Sequence, residues 1–166
     1  MAGPTEAGAA LQAWLAIPAS IEKAIEGLAE QDLDLRGGAD GWSIRENVHH
    51  VVEASLVASN IVLACLAKSG CVYDWSWVTP DSSWVRRVGY DKAPVPTAID
   101  LLKALCTHMA LLITSAPDGF SREVQLLDAP GAKLYTRTVK DLLTQEVEHA
   151  EGHLSAVTET RAGHAR

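Results

Sequence analysis

The sequence predicts an all-α fold, and three observations carry that prediction. Alanine and leucine are abundant while valine and isoleucine seldom alternate with polar residues, so the period of two expected of half-buried strands is missing. Helix-start signals recur at Ser43-x-x-Glu46, Thr97-x-x-Asp100 and Thr138-x-x-Asp141. In each, a side-chain oxygen can accept from an orphan backbone N–H, and the acid three residues on complements the helix dipole. The 166 residues, 48% hydrophobic and 21% charged, suffice for a soluble domain with a real core.

The first helix is expected over residues 6–30, with Leu11, Trp14, Leu15, Ile21, Ile25 and Leu28 as its apolar set. Pro18 lies inside it and is expected to kink or divide it, since proline lacks an N–H and crowds the preceding turn. An Asp- and Gly-rich connection, 31–41, follows. The second helix covers 43–68, stopped by Ser69-Gly70. Its main stripe is Ile44, Val48, Val51, Val52, Ser55, Val62 and Leu66, and a second face of smaller residues joins His50 to Ala54, Val57 and Ile61. A helix apolar nearly all round belongs inside a bundle. The third helix spans 97–116, ended by Pro117-Asp118-Gly119, and the fourth 138–160, after which 161–166 should fray.

Two long connections remain. Residues 71–96 hold Trp75, Trp77, Trp84 and Tyr90, too aromatic for disorder; the tryptophans either pack the loop down or line a pocket. Residues 120–137, with Val124-Gln125-Leu126 and Lys133-Leu134-Tyr135 around a Pro-Gly turn, are expected to form at most one short hairpin. No repeat or domain boundary interrupts 1–166, so a single domain is expected.

A net charge of −7, with Arg86-Arg87 as the one basic pair, argues against a nucleic-acid partner. No run approaches the roughly 18 consecutive apolar residues of a membrane span, and the first residues lack the pattern of a signal peptide. Three cysteines at unrelated spacings give neither a disulfide framework nor a cysteine-rich zinc site, and none has an evident activating context. A cytoplasmic protein is expected.

The histidines carry the chemical information. His149-Ala-Glu-Gly-His153 places two imidazoles four residues apart on one helix face, flanking the stripe Val139, Leu143, Ala150, Leu154, Val157. Neutral imidazoles at that spacing suit Zn²⁺, Ni²⁺ or Fe²⁺, though HxxxH also arises by chance on exposed helices, and a third ligand must come from another helix. His49 and His50 on the second helix both qualify, and periodicity does not choose between them. Glu53, three residues after His50, is either a second-shell partner for an imidazole or an ordinary solvated residue. Glu146-x-x-His149 has the form used by di-iron bundles, but no second ExxH accompanies it, so a dinuclear centre is not expected. His108 stands alone and His164 lies in the tail.

The run Gly41-Trp42-Ser43-Ile44-Arg45-Glu46-Asn47-Val48-His49-His50 resembles the signature of the DinB/YfiT-like superfamily: Trp-Ser, an acid three after the Ser, and a His eight after the Trp. The stretch with Pro18 and Leu33-Asp34-Leu35-Arg36, and the closing His149-x-x-x-His153 with Val157, are similar too, so the likeness spans nearly the whole chain. It implies an up-down-down-up four-helix bundle with one divalent ion held by His50, His149 and His153, His49 being a neighbour. It also implies a homodimer, in keeping with the broad apolar girth of the second helix.

Three protein ligands leave positions open on an ion, the arrangement of a catalytic site. Members of the resembled superfamily include low-molecular-weight thiol S-transferases, a thiol-dependent isomerase and metal-dependent hydrolases. A related domain carries the iron site of sulfoxide synthases, where Glu stands two residues after the second helical His; here that position is Ser155. The first expectation is therefore a metal-dependent S-transferase joining a small thiol to a small electrophile, with Trp75, Trp77 and Trp84 covering the substrate. The alternatives are hydrolysis by metal-bound hydroxide and a non-catalytic metal- or ligand-binding stress protein.

Overall fold

Four long helices, α1 (Glu6–Ile25), α2 (Ile44–Ala67), α3 (Val95–Ser115) and α4 (Val139–His164), make up most of the computed structural model, which describes residues 5–38, 41–78 and 87–164. α1 packs on α3 and α4, and α2 packs on the same two, closing a four-helix ring. Two contacts fix the directions. At the C-terminal end of α4, the Arg161 guanidinium donates to the carbonyls of Ala24 and Glu26 at the end of α1, so these two helices run the same way. Just past α2, the Gly70 N–H donates to the Glu123 carbonyl just past α3 (2.8 Å), so α2 and α3 also run together. The topology is the up-down-down-up bundle.

The apolar stripes meet in one core containing Trp14, Ile21, Ile44, Val51, Leu102 and Val139. α2 begins on the Ser43 cap: Ser43 Oγ accepts from Glu46 N (3.0 Å) and Glu46 Oε2 accepts from Ser43 N (2.7 Å). Arg36 grips Glu46 Oε2 at 2.7 Å and also donates to the Gly41 carbonyl at 2.9 Å, tying the glycine-rich connection to this first turn. Beside it, buried Arg45 reaches Asp34 (2.8 Å), Glu30 (2.9 Å) and the Ala93 carbonyl (3.2 Å), so one guanidinium joins the approach to α2 to the approach to α3. Thr138 and Asp141 form the equivalent cap on α4.

Several expectations need correction. α1 ends at Ile25, not near 30: Gly27 takes φ +77°, and a short 3₁₀ turn, Glu30–Asp34, follows. Pro18 is buried inside an undivided α1. Its missing N–H leaves the Trp14 carbonyl without a helical donor, and the Cys106 thiol approaches that oxygen from α3 at 3.9 Å. α3 starts at Val95 with Pro96 in its first turn, so Thr97 lies within the helix and does not cap it. The tail is helical to His164, held by the Arg161 contacts.

The expected hairpin is present as β2 (Glu123–Leu127) and β3 (Tyr135–Thr138), antiparallel with Leu126 opposite Tyr135. A third strand was not expected. Cys71–Asp74 (β1) pairs in parallel with β2, Cys71 opposite Val124, and Val124 and Leu126 seat this small sheet on the core. By mean hydropathy α2 and α3 are long and apolar enough to cross a membrane; both are core helices of the bundle here.

Candidate metal centre

The cap that starts α2 also sets which side chains face α4. Asn47 and His50 lie three residues apart on that face, one turn beyond Ser43. From α4, His149 and His153 point back at them. His149 Nε2 stands 3.1 Å from His50 Nε2 and 3.1 Å from His153 Nε2, and the three nitrogens lie within 4.8 Å of one another. Tetrahedral zinc–imidazole bonds of ~2.0–2.1 Å place nitrogens about 3.3 Å apart, so the spacing matches a set that can close on one cation.

The protons are arranged to suit that use. The Asn47 amide donates through Nδ2 to the Ser43 carbonyl (2.8 Å), which leaves Oδ1 facing the His153 ring at 2.8 Å. An oxygen there requires the proton of His153 on Nδ1, and its Nε2 lone pair then turns toward the other two rings. All three rings are neutral at ordinary pH. Burial, then the charges His153 and His149 would carry, push His50 down to about 3. Burial and His149 push His153 down to about 4, and burial lowers His149. Trp42 closes the outer side, stacked on His153 (centroids 5.3 Å, 16° between planes) and edge-on to His50 (4.7 Å, 79°).

His49 is directed elsewhere. Its Nε2 meets the Ala93 carbonyl at 3.0 Å and its ring stacks on Tyr90 (5.4 Å, 12°), ahead of α3. Glu53 shares that side of α2: it follows His49 by one helical turn, it adds to burial in raising the Tyr90 hydroxyl, and it makes no hydrogen bond among the described residues. The second-shell alternative for Glu53 is therefore not what the geometry presents.

A cavity of about 270 Å³ opens from His50 and His149. Its floor is the small-residue face of α2, with Ala54, Val57, Ala58 and Ile61, and α4 adds Leu142, Gln145 and Glu146. Trp75 lines it, held at the end of β1 by Nε1 donating to Asp128, which also accepts from the Tyr135 hydroxyl (2.8 Å). Trp77 does not: the turn that bonds Val78 N to the Trp75 carbonyl (2.9 Å) places Val78 in the wall and leaves Trp77 63% exposed. Trp84 lies outside the described residues. On the other side of the rings is an open groove of about 920 Å³, lined by Trp42, Asn47, Gly152, His153 and Ala156 among others.

The family model described as the DinB superfamily matches residues 13–157. The chain belongs to the DinB superfamily. Two relatives are bacterial. One from Geobacillus kaustophilus (strain HTA426) carries the name "Putative metal-dependent hydrolase GK0616" and is 29% identical over 128 residues, 73% of this chain and 69% of the relative. Another, from Geobacillus thermodenitrificans (strain NG80-2), is named "Putative metal-dependent hydrolase" and is 28% identical over 127 residues, covering 72% and 67%. In fold the DinB chain is similar to YfiT from Bacillus subtilis, described as "a probable metal-dependent hydrolase with an unusual four-helix bundle topology". That likeness has a TM-score of 0.72 at 23% identity, over 95% of this chain and 87% of YfiT.

Asn47 and Glu146 stand beside His153 and His149 in a way that sequence reasoning missed. For Asn47 a signal existed, a polar residue three positions ahead of His50 and so on the same helix face. Glu146 is 7% exposed, accepts from Ser55 Oγ (2.9 Å), and is pushed up by burial to about 7 against that hydrogen bond.

Proposed function

We propose that the chain is a metal-dependent hydrolase acting on a small, largely apolar substrate, with one divalent ion on His50, His149 and His153. The observation that carries this reading is the convergence of three neutral imidazole nitrogens at the mouth of an apolar cavity. A bound ion supplies Lewis acidity and lowers the pKa of a ligand such as water. The protein's own groups do the rest. Asn47 keeps the His153 proton on Nδ1, Trp42 shields the outer side of two rings, and Ala54, Val57, Ile61 and Leu142 hold an apolar group while excluding bulk water. Gln145 offers an amide at the cavity wall for a polar atom of the substrate. The names of the two Geobacillus relatives support the hydrolytic reading.

Thiol S-transfer is the second reading, and one observation favours it. The rings stand between two openings, the apolar cavity and the outer groove, as joining two molecules would require. The experiment is turnover by protein stripped of metal and reloaded with Zn²⁺, Ni²⁺ or Fe²⁺. Small aryl esters and amides are assayed without thiol, and small aromatic electrophiles with several thiols. Metal-dependent ester or amide cleavage supports hydrolysis, and turnover only with thiol supports the second reading. Metal-loaded protein inactive in every assay contradicts both.

A further inference from the structure

Two glutamates in the bundle are nearly buried, and only one has an evident structural task. Glu46 caps α2 and pairs with Arg36. Glu146 sits in α4 with no cation beside it and, among the described residues, a single hydrogen bond, from Ser55 Oγ at 2.9 Å. It is surrounded by apolar wall and core, where a leucine would occupy similar space without the cost of burying a carboxyl. Its Oε1, the oxygen that Ser55 bonds, stands 4.0 Å from His149 Nδ1.

That nitrogen matters because of what its ring does on the other side. A His149 that gives its Nε2 lone pair to a cation must carry its proton on Nδ1, and this N–H needs an acceptor. His153 has one in Asn47 Oδ1. Among the described residues, the carboxylate approaching the corresponding nitrogen of His149 is that of Glu146. We propose that Glu146 is a positioning residue: held by Ser55 from α2, its carboxylate closes the 4.0 Å gap to His149 Nδ1 when an ion is bound, accepts that N–H and fixes the tautomer and orientation that aim Nε2 at the ion. This rests on the three-histidine metal reading above. It gives α4 two differently supported ligands, one by a neutral amide and one by a carboxylate.

A buried acid kept for a ligand rather than for the fold predicts effects of opposite sign. Glu146→Leu should raise the unfolding temperature of chelator-treated protein while weakening zinc binding about 10–100-fold, the range for lost outer-sphere partners. Glu146→Gln, whose carbonyl can still accept, should recover most of the affinity, and the Co²⁺ absorption bands of Glu146→Leu should shift from those of the unaltered protein. Zinc affinity is read by competition with a chromophoric chelator, and stability by thermal unfolding of the metal-free proteins. Unchanged affinity in Glu146→Leu overturns the proposal, as does an equal loss in Glu146→Gln. Joint loss of metal-free stability and affinity in Glu146→Leu would assign Glu146 to the fold instead. If the unaltered protein binds no ion, the three-histidine reading falls and this one with it; if it binds one and Glu146→Leu matches it, only the role of Glu146 falls.

Discussion

His49 and His50 are neighbours in the chain, yet they serve opposite sides of α2. Consecutive helical residues point about 100° apart, enough to send one ring toward the turn ahead of α3 and the other toward α4. His49 has an ordinary structural setting, a backbone carbonyl for its nitrogen and a tyrosine for its face. His50 meets two more imidazoles, and any two of the three, once protonated, would repel. For folding alone, such a cluster gains little: its rings are partly desolvated, and among the described residues His149 Nε2 pairs only with other ring nitrogens. The difference teaches that the residue type says little and the surroundings nearly everything. A histidine matched to a carbonyl and a ring stabilises a fold, while three histidines facing one another form a set that could hold a cation.

The largest expected effect separates those two settings. His50→Ala, His149→Ala and His153→Ala should each strip the ion or sharply weaken it in protein that remains folded by circular dichroism, whereas His49→Ala should keep metal content near that of the unaltered protein and lower the unfolding temperature. Ion loss in His49→Ala with retention in His50→Ala would reverse the comparison. A smaller effect belongs to the partner of His153. Asn47→Ala should weaken zinc by about 10–100-fold, because the ring loses the acceptor that fixes its tautomer, and chelator competition reads that change. Undiminished affinity would remove Asn47 from the site.

The smallest effect is a pH dependence of the metal-free protein. His50 and His153 titrate near 3 and 4 in the fold against an ordinary 6.5, so above that value neither folded nor unfolded chain carries their protons. As pH falls below 6.5 the unfolded chain takes up protons that the fold refuses, and stability declines until the folded rings titrate too. Glu46, raised by burial but held below 4.5 by Arg36 and Ser43, adds its own loss only at the acid end. Glu146, pushed up to about 7, takes up its proton in the fold over the same range and offsets part of this loss, so the comparison carries the test. Between pH 6.5 and 4.5 the unfolding temperature in chelator should fall less steeply in His50→Leu than in the unaltered protein. Equal slopes would show that the cluster carries no such linkage.

Much of the bundle was legible because helix periods and caps are local. The stripes of α2 and α4 and the Ser43 and Thr138 caps follow from residues within a turn of one another. What escaped the sequence depends on partners far away in the chain. β1 is four residues long and exists through pairing with β2, more than fifty residues on. The end of α4 is held by carbonyls of α1, and α1 passes Pro18 intact beside a thiol of α3. At the site, HxxxH and the Trp42 to His50 spacing were visible by motif. The pairing of Asn47 with His153 and the approach of Glu146 to His149 needed the helices packed.

The central claim is that three imidazoles, one from α2 and two from α4, hold a single ion. X-ray absorption at the zinc edge of protein loaded with one equivalent of Zn²⁺ tests it most directly. The account predicts stoichiometric binding, with three imidazole nitrogens at about 2.0–2.1 Å and a light atom completing the shell. A sulfur scatterer at about 2.3 Å, fewer than three imidazoles, or no stoichiometric uptake would contradict it.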